Sequence, residues 1–227
     1  MIRLTRYLAA ILISLLVAGA AGPAFPRGEM PGTFDYYALV LSWSPSYCAG
    51  EGAARDAAQC NAERPFAFVV HGLWPQFERG WPEFCKTSDT WVPDAMIEQM
   101  MDIMPSKQLI IHEWRRHGTC SGLSQADYFG LIRNLYGQIT IPAEYQVPSE
   151  NVLTTPEELR NELVAANPGL DESMVGVYCG NRRDVARLSS VRICYSRDGQ
   201  PMPCPHDRRQ CRAELIVLPA ARTRNVQ

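Results

Sequence analysis

Apolar positions along the chain change period several times, and each change marks an element. Residues 34–43 (FDYYALVLSW) are aromatic and aliphatic in texture, as in a strand. Pro65 then opens Phe66-Ala67-Phe68-Val69-Val70, a short apolar run of the kind that forms a buried strand. Pro93 and Asp94 start a helix that the pattern carries to about Met104, with Ala95, Met96, Met100, Ile103 and Met104 as its apolar face and Pro105 as its stop. A second helix is predicted over 109–117, ending at Gly118, a residue suited to a left-handed C-terminal position. Residues 127–138 and 156–166 read as further amphipathic helices, the latter capped by Thr155. Strand texture returns at 174–179, 188–195 and 214–218. Helices in the middle with strands at both ends predict an α+β domain on a central antiparallel sheet flanked by helices.

Composition narrows the class. The chain has 227 residues, 46% hydrophobic, with a net charge of −2, which excludes a disordered chain and allows one sizeable core. No repeat or linker divides it, and no G-x-G-x-x-G or G-K-[ST] loop supports a nucleotide-cofactor fold. Arg3 and Arg6, the apolar run from Tyr7 to Val17 and Ala18-Gly19-Ala20 form an export signal over residues 1–20, too short for the roughly 20 residues of a membrane span. The expected domain is therefore 21–227, free of a membrane span once the signal is cleaved.

Eight cysteines (Cys48, Cys60, Cys85, Cys120, Cys179, Cys194, Cys204, Cys211) all fall within that domain, with no C-x-x-C pair. A framework of four disulfides is expected rather than a zinc finger, and spacing alone fixes no pairing. Without any N-x-S/T site, a bacterial periplasmic or secreted protein is expected before a glycosylated eukaryotic one. Charge is uneven: from Arg182 onward there are ten arginines against four acidic residues. Most of that tail reads as a sheet edge with solvated arginines, some of which could steer a polyanion. Residues 219–227 read as dispensable.

The chemistry lies in the histidines. His206, in a Pro-rich loop, reads as an ordinary core or surface residue. The other three sit in FVVHGLWP (His71) and HEWRRHGTC (His112, His117). On a helix turning about 100° per residue, His112, Arg116, Glu113 and His117 fall near 0°, 40°, 100° and 140°, while Trp114 and Arg115 point elsewhere. This could be a solvated face carrying a Glu113–His117 pair. The apolar Leu109-Ile110-Ile111 before it and Cys120 after it argue for a helix tied into the body, where mixed His, Glu and Arg are costly unless used. The spacing is i,i+5, not the i,i+4 of a zinc-binding H-E-x-x-H, and Arg116 would repel a dication. Two histidines, one neutral and one protonated, with an arginine and a glutamate can take a proton from a hydroxyl, give one to a leaving oxygen and steady an anionic phosphorus centre. That inventory suits RNA, whose 2′-hydroxyl is an internal nucleophile; DNA lacks it. At the other segment, Gly72 allows close backbone approach, and His71 is expected to end its strand at a corner stiffened by Pro75. Trp74, like Phe77 and Trp81, reads equally as a stacking platform for a base or as core.

FVVHGLWP and HEWRRHGTC resemble the two active-site segments of the ribonuclease T2 family, and FDYYALVLSWSPSYC resembles its first strand. The match covers most of the domain, and two motifs in order at the family's separation are highly specific. The resemblance implies an α+β fold around an antiparallel sheet. It also implies a cofactor-free, metal-independent endoribonuclease of broad base tolerance, cutting RNA through a 2′,3′-cyclic phosphate to 3′-phosphate ends. His117 would be the general base and His71 the general acid. Glu113 and Arg116 would stabilise the phosphorane, His112 would hold the phosphate, and Trp74 would stack on a base. Relatives commonly carry lysine at 116, a point charge in place of a planar fork. Gln76 stands where some relatives have an acid that reads the base, and Trp81 where a tyrosine is common, so base preference does not carry over. The implied disulfides are Cys48–Cys60, Cys85–Cys120, Cys179–Cys211 and Cys194–Cys204, the second anchoring the histidine helix beside the His71 loop. RNA is the expected partner of a monomer, with DNA excluded. The rival reading is a non-catalytic module of the same fold that binds RNA or a protein; it has no need of His71, Glu113 and His117 together. A disulfide-rich structural protein would leave the clustered histidines without a use.

Overall fold

The computed structural model describes residues 30–50, 54, 56–180, 186–205 and 207–222. The expected export signal, Arg182 and His206 lie outside these residues.

Six strands form one sheet: β1 (Tyr36–Trp43), β2 (Phe68–Gln76), β3 (Val152–Thr154), β4 (Val175–Gly180), β5 (Ala186–Tyr195) and β6 (Ile216–Leu218). Their order is β2-β1-β5-β6-β3, with β4 also paired to β5. The α+β architecture is the expected one, but one pair, β5 with β6, runs parallel (Ala186↔Ile216, Arg187↔Val217). The long central pairs are antiparallel, and alternation decides what each face carries. Tyr37, Leu39, Leu41 and Trp43 of β1 point into the core with Val177 of β4 and Val191, Ile193 and Tyr195 of β5. On the opposite face the same strands present Ala38, Val40, Ser42, Ser190 and Arg192.

Strand β2 departs from strict alternation. Val40 pairs with Gly72 and Leu41 with Val70, which leaves His71 as the extra residue of a β-bulge. Val70 and Leu73 both face the core, so His71 and Gly72 lie together on the other side, followed there by Trp74 and Gln76. The expected corner at His71 is thus absent: the strand continues to Gln76, and the bulge does the re-aiming.

Among the described residues the helices include α1 (Ser44–Cys48), α2 (Ala57–Cys60), α3 (Asp94–Met100), α4 (Lys107–Arg116), α5 (Gln125–Gly137), α6 (Ala143–Gln146) and α7 (Pro156–Ala166). Helix α3 stops four residues earlier than its apolar spacing suggests, because the chain turns at 101–104 and Ile103 O accepts a hydrogen bond from Val70 N of β2. Its buried face is Ile97 and Met100, with Met104 beyond it, while Ala95 is exposed. Helix α7 begins as expected, with a capping box between Thr155 and Glu158. Helix α4 starts at Ser106, whose Oγ accepts from Leu109 N at 3.2 Å. Gly118 does not adopt a left-handed conformation; it opens a 3₁₀ turn, Gly118–Cys120. Glycine is needed there for space, since a Cβ would come within 2.3 Å of the Trp114 ring.

The four disulfides are Cys48–Cys60, Cys85–Cys120, Cys179–Cys211 and Cys194–Cys204, the same pairs that the resemblance implies. Residues 219–222 are not dispensable. Pro219 O accepts from Trp43 Nε1 at 3.0 Å, Ala221 N donates to Pro148 O at 2.8 Å, and Ala221 is buried. No helix among the described residues is long and apolar enough to cross a membrane.

Candidate active site

Bulged strand β2 and helix α4 lie side by side, and their polar faces bound one cleft. Ile110 and Trp114 hold α4 in the core, where the Trp114 ring packs near Tyr128 and Phe129 and its Nε1 donates to Asp89 O at 2.7 Å. From α5, Tyr128 OH donates to Leu73 O at 2.9 Å, locking β2 within the bulged segment. The opposite arc of α4 therefore faces the sheet. His112, Glu113, Arg116 and His117 line a cleft of about 290 Å³ together with His71, Trp74, Gln76, Trp81, Arg192 and Arg209. All six expected site residues are brought together.

Glu113 is the hub of this group. It is 1% exposed, accepts from Trp74 Nε1 at 2.7 Å through Oε2, and places Oε1 3.4 Å from His71 Nε2. Burial drives its pKa up to about 8, against the pull of the Trp74 hydrogen bond and Arg116. His71 is bonded through Nδ1 to Ser42 Oγ at 3.0 Å. Its pKa is lowered to about 4 by burial and then by the charges of His112, Arg192 and Arg116, although 37% of its side chain still meets solvent. His117 forms the C-cap of α4, is 4% exposed, and stacks on Trp74 at 5.0 Å between ring centroids. Burial, followed by Arg116, His112 and His71, lowers its pKa to about 3, so it is neutral at ordinary pH. His112 is lowered too, by burial and Arg116.

The loop after β2 closes one wall. Phe84 holds a left-handed backbone (φ 51°), unusual for a non-glycine residue, and its N–H donates to Arg116 O at 2.9 Å, satisfying a terminal carbonyl of α4. Glu83 binds Arg116 Nη2 at 2.8 Å, and Cys85–Cys120 ties the loop to the turn after the helix. Arg116 Nε and His117 Nδ1 are buried without a hydrogen-bond partner among the described residues. Buried polar atoms without a partner are rare, and both of these belong to residues that line the cleft.

Trp74 is more than a surface for a base: its indole holds Glu113, stacks with His117 and meets His71 edge-on at 5.6 Å. Trp81, 40% exposed, also lines the cleft, whereas Phe77 packs against the core. Two arginines of the basic tail that the sequence did not single out, Arg192 and Arg209, reach the cleft. Alternation with the buried Val191 and Ile193 marks Arg192 as facing away from the core; the pairing of β5 beside β1 was not legible. Among the described residues no three His, Cys, Asp or Glu side chains are grouped so as to hold a metal ion.

Comparisons with known proteins agree with this geometry. A ribonuclease from Aeromonas hydrophila is 36% identical over 192 residues, spanning 83% of this chain and 84% of the relative. Among solved structures, a mutant of RNase MC1 in complex with 5′-UMP is 25% identical, with a TM-score of 0.59 over 74% of this chain and 91% of its own. An RNase-related protein from Calystegia sepium shares the fold at 21% identity, with a TM-score of 0.64 over 83% of this chain and 98% of its own. The model of the Ribonuclease T2 family matches residues 34–204, which takes in both histidine segments and the first strand. The chain belongs to the ribonuclease T2 family and is an enzyme of the ribonuclease T2 type.

Proposed function

We propose that the chain is a metal-independent endoribonuclease that cuts single-stranded RNA, with broad base tolerance, by attack of the 2′-hydroxyl on the adjacent phosphorus. The observation that carries this reading is the grouping of two imidazoles and the buried Glu113 carboxyl around the Trp74 indole. His117, neutral because it is buried, takes the 2′-hydroxyl proton as the 2′-oxygen bonds to phosphorus. Arg116 and His112 donate N–H groups to the non-bridging oxygens, and Trp74 or Trp81 meets a base. Glu113, protonated at neutral pH, acts as a donor beside the pentacoordinate centre. Its Oε1 also faces His71 Nε2, and an arriving phosphate raises the His71 pKa, so the imidazole gains a proton and passes it to the departing 5′-oxygen. The products are a 2′,3′-cyclic phosphate and a free 5′-hydroxyl. Water then opens the cyclic ester with the two histidines exchanging roles, leaving a 3′-phosphate.

Four disulfides require an oxidising compartment, which supports export to the periplasm or medium. DNA, without the internal nucleophile, is not a substrate, and one chain holds the whole site, consistent with a monomer. The deciding experiment incubates purified protein with RNA, and with DNA of the same sequence, in excess EDTA, and identifies the ends formed. Cyclic phosphate from RNA alone is expected. Inhibition by the chelator, or RNA binding without cleavage, would overturn the proposal.

A further inference from the structure

One row of residues crosses the sheet in register beneath the cleft: Gly72 on β2, Val40 on β1, Arg192 on β5 and Gly176 on β4. The missing side chain at Gly176 makes room for the Tyr178 ring, which a Cβ there would meet at 3.0 Å. The Arg192 guanidinium lies over that ring at 3.8 Å and over Trp74 at 4.9 Å. Rings occupy the faces of a guanidinium and leave its N–H edge for other partners. Along that edge Nη1 is 3.7 Å from Asp207 Oδ2, and Nε, buried, has no partner among the described residues. Asp207 is claimed three times over, by Tyr178 OH at 3.0 Å, by Arg192 and by Arg209, whose Nη2 lies 2.8 Å from Oδ2. Arg209 in turn lies over Trp81 at 5.3 Å. Hydrogen bonds from Arg209 and Tyr178 outweigh burial and hold Asp207 ionised, with a pKa of about 2. Two permanent cations thus share one carboxylate in the wall of the cleft, leaving one positive charge over.

The acid–base chemistry at His71 and His117 uses neither arginine. We propose that Arg192, with Arg209, forms a second anion site in the cleft, which takes the phosphate on the 5′ side of the nucleotide whose 2′-oxygen attacks. The inference rests on the ribonuclease reading above. A nucleotide with its 3′-phosphate at His112 and Arg116 sets its base against Trp74 or Trp81, the two rings that carry Arg192 and Arg209. The chain leaving that nucleotide in the 5′ direction therefore passes the two guanidinium groups, whose planar forks match phosphate oxygens. Were the cluster only a structural ion-pair network fastening Asp207 and Arg209 to β4 and β5, its loss would change stability and leave substrate preference alone.

The test compares kcat/KM for three dinucleotides, ApA, pApA and ApAp, at one low ionic strength. Wild type should favour pApA over ApA roughly tenfold, through KM, with no comparable gain for ApAp. R192Q and R209Q should both erase the ratio, R192K should keep part of it, and raising salt should shrink it. Should R192Q fail to fold, R209Q reads the same ratio from a more exposed side chain. Equal cleavage of pApA and ApA, a preference for ApAp instead, or a ratio that survives both glutamine variants would overturn the anion site while leaving the ribonuclease reading intact. No cleavage of any of the three by wild type would overturn both.

Discussion

The carboxylate of Glu113 fills the space that a side chain at residue 72 would need: a Cβ on Gly72 would stand 1.9 Å from Oε2 and 2.7 Å from Cδ. G72A should therefore push Glu113 off Trp74 and lower kcat by about 10²-fold, the scale on which small misplacements of catalytic groups act. Circular dichroism should show an unchanged fold. A wild-type rate in G72A would mean that Glu113 needs no fixed place.

Removal of either imidazole tests the division of labour. H71A and H117A should each lower kcat by about 10²–10⁴-fold with little change in KM. Against a dinucleotide with an activated leaving group, H71A should recover much of its rate and H117A should not. The reverse result would exchange the two roles.

The pKa directions give a pH profile. His117, at about 3, must be neutral, while His71 must carry a proton and Glu113, at about 8, must keep its own, so activity should rise through the acid range and fall as His71 and then Glu113 lose their protons. E113Q, which keeps a neutral donor, should change the alkaline limb to that of His71 alone; an unchanged limb would remove Glu113 from the profile.

Stability follows the same groups by linkage. The folded-state pKa of Glu113 is raised, so its contribution is full below its unfolded value of 4.5 and is lost as pH rises through about 8. His71 and His117 are depressed, so their contribution is present above 6.5 and is lost as pH falls toward about 4 and 3. The Tm of E113Q relative to wild type should therefore climb between pH 5 and 9. Thermal melts across that range check this, and a flat difference would contradict it.

Breaking the Cys85–Cys120 bridge should uncouple the loop of Glu83 and Phe84 from α4. The variant C85A/C120A should lose about 2–4 kcal/mol of stability, and below its melting temperature its KM should rise more than that of C48A/C60A, whose bridge lies away from the cleft. Equal KM values in denaturant-free assays would assign the bridge to stability alone.

Much of the site was legible in the sequence because helical geometry is local. The arc of His112, Glu113, Arg116 and His117 follows from spacing alone, and α4 preserves it. Five of the six strands were found for the same reason, the three-residue β3 being too short to carry a pattern, yet the chain past His71 was misread: a bulge is a property of two strands, set where Val40 and Leu41 choose partners, and one strand's residues do not display it. Arg192 and Arg209 could not be picked out of the basic tail on similar grounds. Their place in the cleft depends on β5 lying beside β1 and on the Asp207 segment folding back over Tyr178, both long-range pairings. Gly118 was assigned the wrong reason for being glycine, since the crowding by Trp114 is visible only once the helix is packed.

The extra residue in β2 acts as a phase shifter between solvent chemistry and hydrophobic packing. Were the same residues to pair with β1 without the bulge, strict alternation would run on from His71 and every position from Leu73 to Gln76 would exchange faces. Leucine would be thrust into the cleft and tryptophan into the interior, so the bulge, more than any one side chain, decides which residues of this stretch meet the substrate side.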